Sequence, residues 1–417
     1  MDIVVGVIVG LFVLMLLVTA HEFGHFIMAR RNGVRVLEFG IGFPPRGIAW
    51  VRDEKTRKWR RIPRADWKKE QKGLVFSLNW LPIGGFCQMD GESAEDERKG
   101  TFGAASFWAK TKILFGGVFM NWLVAFIILT ILAWTGMPEF LEGQFTVEAD
   151  TRRNNVPVRV IEVAEGSPAA EAGLLAGDKI LAVDGNSFYH AYEFTDYNDA
   201  RPGEEVIYTV ERWVDASCPD GVQSLVECTE GEKTLDLAVK LNPADSEYLL
   251  GVKMETTQGL SYSTWSAPIV GAGLTVQITA ETFKGVGQMV GSLVSGVVSQ
   301  LSFDSSVRDE GRESISAVGD SVSGPVGIIG VLFPSFTAAG PTNLAFFTAL
   351  ISVSLACMNV LPIPALDGGR WLLIGYYKLR RKKLSKETEE KIVARAFMIL
   401  LALMFLVTIL DVVRIVR

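Results

Sequence analysis

The residues best suited to chemistry lie in one segment, His21-Glu22-Phe23-Gly24-His25. On a helix, the two histidines lie one turn apart and differ by roughly 40° around the axis, so both imidazoles can reach one metal ion. Glu22 lies beside them and can act as a base without being a ligand. This spacing is typical of a zinc site with a general base. The alternative is a histidine pair that only forms hydrogen bonds within a helix bundle.

The segment follows an apolar stretch, Ile3–Ala20, that contains no charged residue. Its length and composition predict a membrane span. Ionisable side chains at the end of a span are costly unless they take part in chemistry or face a cavity lined by protein. A cleaved signal peptide is the other interpretation, but the stretch lacks a basic start, and cleavage near Ala20 would leave the motif at a new terminus. We therefore expect a retained helix.

Composition indicates a membrane protein with an additional soluble part. The chain has 417 residues, 49% of them hydrophobic, and a mean hydropathy of +0.26. A net charge of −6 and the lack of a basic groove with interleaved aromatic residues argue against nucleic acid as a partner. Hydropathy predicts four spans. They lie at about Ile3–Met28, Ile113–Thr135, Leu344–Leu361 and Ala396–Val413.

Charge indicates how these spans are oriented. The connections Arg30–Lys110 and Arg370–Arg395 are rich in Lys and Arg, whereas the long connection after the second span is acidic. The positive-inside rule puts the two basic connections in the cytoplasm and the acidic one outside. Gly271–Gln300 is only moderately apolar, so we expect an amphipathic segment at the membrane surface. A fifth span there is the alternative, and it would break this topology.

A third metal ligand must come from a distant part of the chain. The only other histidine, His190, lies in a different predicted domain, so Asp, Glu or Cys has to complete the set. Pro362 and Pro364 break the third span at its cytoplasmic end, and Asp367 follows at about the membrane depth of His25. Two histidines and one carboxylate leave a fourth position open, which is the pattern of catalytic zinc. The alternative is that Asp367 only caps a helix.

These motifs together resemble a known family. HEFGH in a first span and NVLPIPALDGG in a later one are similar to the site-2 protease family of intramembrane zinc metalloproteases, in its bacterial RseP-like branch. LPIGGFCQMDGE (Leu81–Glu92) and GGVFMN (Gly116–Asn121) resemble two further elements of that branch. The chain departs from the family pattern at Val118, where proline is usual, and at Arg370, where relatives often have histidine.

The resemblance implies an activity and roles for individual residues. His21, His25 and Asp367 map onto the zinc ligands, Glu22 onto the catalytic base, and Asn359 onto a residue that holds the substrate or the oxyanion. The implied reaction is cleavage of single-pass membrane proteins, such as an anti-sigma factor or a remnant signal peptide, within or near the lipid bilayer. The implied location is the bacterial inner membrane, with the active site toward the cytoplasm. No oligomeric state follows.

The connection between the first two spans could hold the substrate. Val36–Phe43, Ile48–Val51 and Phe76–Met89 are rich in aromatic and β-branched residues, which predicts short strands. An exposed strand edge can pair with an unwound substrate segment; the alternative is a hairpin that merely packs under the spans. Cys87 lies near this edge, and weak contact with a metal is left open. The residues predicted to contact substrate are Gly84, Gly85, Phe86, Asn121 and Pro362.

The acidic connection contains a segment, Val158–Phe188, that resembles a PDZ domain. Its later strands are predicted at Glu205–Val214 and Lys233–Leu241. We expect one such domain, whereas RseP itself is known for a tandem pair. Cys218 and Cys228 flank a turn in a hairpin insertion on the outside, where a disulfide is permitted and is as plausible as two free thiols.

The predicted fold is a polytopic α-helical membrane protein. It has four transmembrane helices, a membrane-associated β-hairpin region and one extracytoplasmic PDZ domain. Residues 1–136 hold the first two helices, 137–265 the PDZ domain, 266–341 the membrane-surface segment and 342–417 the last two helices. Two other functions stay open, a catalytically idle membrane PDZ scaffold and a zinc transporter. A zinc transporter would need ionisable residues along several spans, and the other spans have almost none. A scaffold has no reason to keep an intact, open zinc site.

Overall fold

The computed structural model divides the chain into two compact units. Unit 1 comprises Met1–Ala133 and Ser266–Arg417, and unit 2 comprises Trp134–Trp265. The structure describes residues 2–53, 56–67, 73–93, 96–141, 143–154, 158–188, 191–214, 231–246, 248–255, 260–300, 308, 311–312 and 324–416. The hairpin insertion that contains Cys218 and Cys228, and His190, lie outside these residues.

Four helices of the described chain are long and apolar enough to cross a membrane. They are α1 (Asp2–Arg31), α2 (Phe107–Thr135), α7 (Pro341–Val360) and α9 (Lys386–Val416). The prediction of four such helices is confirmed. α2 and α9 begin earlier than the predicted spans, because a helix continues through polar turns that hydropathy does not register.

Helix α5 (Ala267–Ser299) is a single continuous helix of 33 residues that packs along α2. A Cβ on Gly271 would lie only 2.3 Å from Thr130 Oγ1, so the two backbones come close together there. Farther along, Thr279 and Phe119 line a shared apolar groove of about 480 Å³. The first half of α5 therefore contacts a helix that is long and apolar enough to cross a membrane, and the position of α5 at the membrane surface stays a prediction.

Helix α6 (Pro325–Ala338) contains a π-helical turn and crosses the first half of α1. Its start is held by Asp411 of α9, which is 3% exposed. The Asp411 carboxylate accepts hydrogen bonds from the backbone N–H groups of Gly324 at 3.0 Å and Gly327 at 2.8 Å. A carboxylate at this place satisfies N–H groups that have no partner inside the helix.

A three-stranded antiparallel sheet lies between α1 and α2 in the chain, in the order β2-β1-β3. Its strands are β1 (Val36–Asp53), β2 (Trp59–Arg61) and β3 (Gly73–Met89). The hairpin folds over itself, so that Ile41 of β1 lies opposite Gly85 on one side and Leu78 on the other. The strands predicted here are thus parts of two long ones. Residues 85–89 form an edge, because among the described strands β3 pairs with β1 alone.

Unit 2 contains a five-stranded antiparallel sheet in the order β10-β6-β7-β8-β9. Tyr208, Phe194 and Val206 are fully buried in its core. Two short helices, α3 (Pro168–Glu171) and α4 (Ala191–Asp199), belong to the unit. The strands of this sheet are β6 (Val158–Val163), β7 (Lys179–Val183), β8 (Glu205–Val214), β9 (Gly231–Lys240) and β10 (Val252–Glu255). A smaller sheet consists of β4 (Met137–Pro138), β11 (Leu260–Tyr262) and β5 (Arg152–Asn154).

Candidate active site

The two histidines of α1 face one another in the interior of unit 1. His25 Nε2 lies 3.1 Å from His21 Nε2, and each residue is 7% exposed. Helical spacing explains the pairing, because residues four apart lie on the same face. Close approach of α2 explains the burial, since a Cβ on Gly24 would lie 2.1 Å from the carbonyl oxygen of Gly116.

Asp367, the first residue of α8 (Asp367–Leu379), reaches the same point. Its Oδ2 lies 3.1 Å from His21 Nε2 and 3.3 Å from His25 Nε2. Two glycines make this position possible. A Cβ on Gly368 would lie 2.1 Å from the carbonyl oxygen of Val360, and one on Gly369 would lie 2.0 Å from that of Ile363. The Asp-Gly-Gly sequence therefore lets α8 begin directly against the end of α7.

The three atoms have the spacing of metal ligands. Ligands about 2.0–2.1 Å from a tetrahedral zinc ion lie roughly 3.3 Å from one another, and the observed separations are 3.1, 3.1 and 3.3 Å. His25 Nδ1 donates to the Ile113 carbonyl oxygen at 2.8 Å, so the lone pair of its neutral ring is on Nε2 and points at the other two donors. A cation bound between His21, His25 and Asp367 would offset the repulsion between their three converging lone pairs.

The Asp367 carboxylate keeps its charge in this environment. Burial by itself raises its pKa, but its interactions with His25 and His21 lower it more, so that the pKa lies well below the ordinary value. A charged carboxylate suits a metal ligand. Burial, together with the Glu22 and Glu92 carboxylates, raises the pKa of the Cys87 thiol. Metal contact at Cys87 stays a prediction.

Glu22 lies next to the triangle rather than in it. Its carboxylate, His21 and His25 offer ligand atoms within 4.8 Å of one another, so Glu22 is the alternative third ligand by residue type. Asp367 is closer to both imidazoles. The Glu22 carboxylate also interacts with the backbone of Cys87, in the edge segment of β3. In this position Glu22 could act as a base that reaches both the metal site and a substrate strand paired with the edge segment of β3.

Helix α2 forms the wall behind the histidines. A Cβ on Gly117 would lie 2.6 Å from His21 Nε2 and 2.7 Å from His25 Nε2, so glycine is required there. Ile113, four residues earlier, accepts the His25 hydrogen bond through its carbonyl oxygen. Neither Gly117 nor Ile113 was predicted from the sequence as a site residue. The paired glycines in GGVFMN could have indicated Gly117. The role of Ile113 depends on its backbone carbonyl, which no sequence pattern indicates.

The other predicted site residues lie at varying distances from this triangle. Asn121 is fully buried behind His21, with its Nδ2 3.4 Å from His21 Nδ1. The Asn359 amide instead donates to the Leu355 carbonyl oxygen of its own helix at 2.9 Å. Pro362 follows the end of α7 at Val360.

The glycine pair of β3 packs against α1 just before the histidines. Cβ atoms on Gly84 and Gly85 would come within 2.9 Å of Val18 Cγ1 and 3.1 Å of Thr19 Oγ1. Phe86 instead points toward Gly40 of β1, where a Cβ would meet its ring at 2.3 Å. The glycines thus bring the edge segment of β3 to the helix that carries the motif.

An open cavity of about 880 Å³ leads to Asp367. Gln88 and Met89 of the edge segment line one side, and Leu366 and Arg370 line another. Arg370 is fixed there, with its Nε 3.2 Å from Glu389 Oε1. The cavity therefore joins the carboxylate of the triangle to the strand edge, and charged side chains form part of its lining.

Comparison with known proteins identifies the family of this chain. The family model described as Peptidase family M50 matches residues 9–404. "Putative zinc metalloprotease CPE1693" of Clostridium perfringens is 28% identical, with 95% of each chain covered. "Putative zinc metalloprotease Atu1380" of Agrobacterium fabrum is 25% identical over 95% of this chain and 92% of its own. "Putative zinc metalloprotease SACOL1281" of Staphylococcus aureus is 26% identical, with 98% of each covered. This chain therefore belongs to Peptidase family M50, the site-2 protease family, and is a metalloprotease.

Proposed function

We propose that this protein is an intramembrane zinc endopeptidase that cuts peptide bonds within or near the transmembrane segments of single-pass membrane proteins. The main support is the triangle of His21 Nε2, His25 Nε2 and Asp367 Oδ2. It lies on a helix that is long and apolar enough to cross a membrane. The metal named for the relatives is zinc.

In the proposed reaction, His21, His25 and Asp367 hold the zinc ion. When bound, zinc polarises the scissile carbonyl and makes water a nucleophile at neutral pH. Glu22 takes the proton of the attacking water and passes it to the leaving amide nitrogen. Asn359 stabilises the oxyanion once its amide turns away from the Leu355 carbonyl oxygen, and this contribution is typical of a side-chain amide.

The substrate is proposed to bind as an extended strand along the edge segment of β3. Residues 85–89 pair with β1 on one side only among the described strands, and Gln88 and Met89 line the cavity that contains Asp367. Strand addition would expose scissile carbonyls that a helix shields. Gly84 and Gly85 allow close backbone approach, while Phe86 and Pro362 are proposed to contact substrate side chains. Anti-sigma factors and remnant signal peptides are the proposed kinds of substrate.

Unit 2 is proposed to be a PDZ domain that screens substrates. Its strand β10 is an edge strand of the five-stranded sheet, and such an edge can accept an extended segment. The charge pattern of the sequence supports a bacterial inner-membrane protein with residues 137–265 outside and the zinc site toward the cytoplasm. Residues 1–136 and 342–417 then supply the spans, and 266–341 connects the PDZ domain to the third of them.

The decisive experiment compares the parent chain with Glu22→Gln. Each is co-expressed with a single-pass membrane protein, and cleavage products and bound zinc are measured. We expect cleavage to fall by about 10²- to 10⁴-fold, because a general base is lost, while zinc content stays the same. Glu97→Gln is the matched control, because its side chain is 72% exposed in an ion pair with Lys383.

A second variant, His21→Ala, should lose the zinc as well as the cleavage. Cleavage by Glu22→Gln at the parent rate would contradict the mechanism. An unchanged zinc content in His21→Ala would remove that residue from the ligand set. A parent chain that binds the membrane protein and never cuts it would favour the scaffold function instead.

A further inference from the structure

The side chain of Asn121 is buried where a substrate cannot contact it. It is 0% exposed and lies behind His21, on the side away from Asp367. Its backbone carbonyl oxygen accepts a hydrogen bond from Ser352 Oγ at 2.8 Å, which fixes this point of α2 against α7. The residue is therefore held rigidly against the outer nitrogen of a proposed ligand.

From this geometry we infer that Asn121 is a positioning residue, whose amide oxygen accepts a hydrogen bond from His21 Nδ1 and thereby directs the Nε2 lone pair at the metal. The inference rests on the zinc site proposed above. It assigns to Asn121 a role in setting the tautomer and orientation of His21, in place of the substrate contact expected from the sequence.

The buried amide itself provides the first argument. Among the residues that the structure describes, Asn121 Oδ1 has no hydrogen-bond partner, whereas Nδ2 lies 3.4 Å from His21 Nδ1. The oxygen and nitrogen of a side-chain amide exchange places when the amide group turns by 180°, so the hydrogen bonds around them decide which atom faces His21. Exchanging them gives Oδ1 the Nδ1–H group of His21 as a donor.

The chemistry of the imidazole provides the second argument. If Nδ2 donated to Nδ1, the proton of the neutral ring would be on Nε2, the atom that lies 3.1 Å from both Asp367 Oδ2 and His25 Nε2. That tautomer cannot bind a metal through Nε2. With Oδ1 as acceptor, the proton is on Nδ1 and the Nε2 lone pair is free.

The second histidine provides the third argument, because it is held in the same way. His25 Nδ1 donates to the Ile113 carbonyl oxygen at 2.8 Å. Ile113, Gly117 and Asn121 are four residues apart along α2 and so lie on one face of it. This face offers one acceptor to each imidazole and a glycine between them. Histidine ligands in metalloproteins commonly donate their outer N–H group to such an acceptor.

The test replaces only the acceptor. Asn121→Leu removes it with little change in volume, and Asn121→Asp keeps it. The full-length chain is purified in detergent, and its zinc affinity is measured by competition with a chelator. We expect Asn121→Leu to bind zinc roughly 10- to 100-fold more weakly, in line with other ligand-orienting residues, and Asn121→Asp to restore affinity to within a few-fold of the parent.

Thr130→Val is the matched control. Thr130 is also a buried polar residue of α2, and its Oγ1 has no hydrogen-bond partner within the described part of the chain. It lies against Gly271 of α5 rather than against a histidine. This variant should bind zinc as the parent does. Equal losses in Thr130→Val and Asn121→Leu would show a general packing effect and overturn the inference.

A measurement on the parent chain avoids any dependence on variants that fold poorly. The protein has three histidines, so ¹⁵N-histidine NMR spectra of the zinc-loaded chain are simple. We expect His21 to carry its proton on Nδ1. A proton on Nε2, or unchanged affinity in Asn121→Leu, would overturn the inference while leaving the zinc site in place. A parent chain that binds no zinc would overturn the proposed function as well.

Discussion

Glycine at position 117 shows how strongly single residues constrain this site. The imidazoles of His21 and His25 occupy the space where a side chain would begin, at 2.6 and 2.7 Å from a Cβ on Gly117. These distances are far below ordinary van der Waals contact, and both neighbours are held by hydrogen bonds on α2. The ligands cannot move aside without leaving the triangle.

Gly117→Ala should therefore disrupt the metal site. We expect bound zinc to fall below one ion per chain and the free energy of unfolding to drop by about 1–3 kcal/mol, the usual range for overpacking. Zinc content and thermal unfolding of the purified chain measure the two effects. Gly285→Ala in α5 is the control, because nothing lies within 4 Å of a Cβ there, and alanine should stabilise the helix slightly. A zinc content equal in both variants would contradict the expectation.

At the scale of elements, the starts of two helices bring carboxylates to defined points between apolar helices. α7 ends at Val360 and α8 begins at Asp367, so that a carboxylate lies at a helix start beside the histidines. α6 begins at Pro325 against another carboxylate, Asp411 of α9. In both places an acidic side chain lies at the start of a helix.

The contact of Asp411 with the start of α6 can be tested without changing Asp367. Asp411→Ala removes the acceptor of two N–H groups, so the free energy of unfolding should fall by about 0.5–2 kcal/mol, as for other lost helix caps. Zinc binding should be retained, since Asp411 is not part of the triangle. Thermal unfolding with and without zinc measures both. Glu387→Ala in the first turn of α9 is the control, because its side chain is 79% exposed; an equal loss there would argue against the capping role.

At the scale of the whole molecule, the two units have separate interiors. Each of the residues that approach the zinc site belongs to unit 1. Unit 2 has its own core and its own buried ion pair, in which Arg212 Nε and Nη2 donate to the two Asp178 oxygens, each at 2.7 Å. Asp178 is 1% exposed, so loss of Arg212 would leave a buried charge without its partner.

Arg212→Ala should unfold unit 2 selectively. Removal of one member of a buried pair costs about 3–5 kcal/mol, so we expect faster cleavage of residues 134–265 by an added protease. Zinc content should not change. Lys179→Ala is the control, because Lys179 and Glu211 form a pair that is more than a quarter exposed on both sides and contributes about 0–1 kcal/mol. Loss of zinc together with unit 2 would show that the two interiors are coupled.

The sequence predicted the elements with strong patterns and missed those that depend on the backbone. The four apolar helices follow from hydropathy alone, and His21, Glu22 and His25 follow from helical spacing. The Ile113 carbonyl could not be predicted, because any residue supplies one. Asn121 was expected to contact substrate, and only the packing of α2 on α1 shows that it is fully buried. The packing of α5 on α2 depends on Gly271, which hydropathy does not report.

The distance along the chain between the members of the triangle has a consequence for biosynthesis. His21 and Asp367 are 346 residues apart, so the ribosome makes both histidines long before the carboxylate that joins them. Two imidazoles alone hold zinc weakly, because a catalytic site needs three protein ligands. A growing chain therefore lacks the complete set of three ligands until Asp367 has been made and α8 has packed against the histidines, so we expect it to be inactive until then.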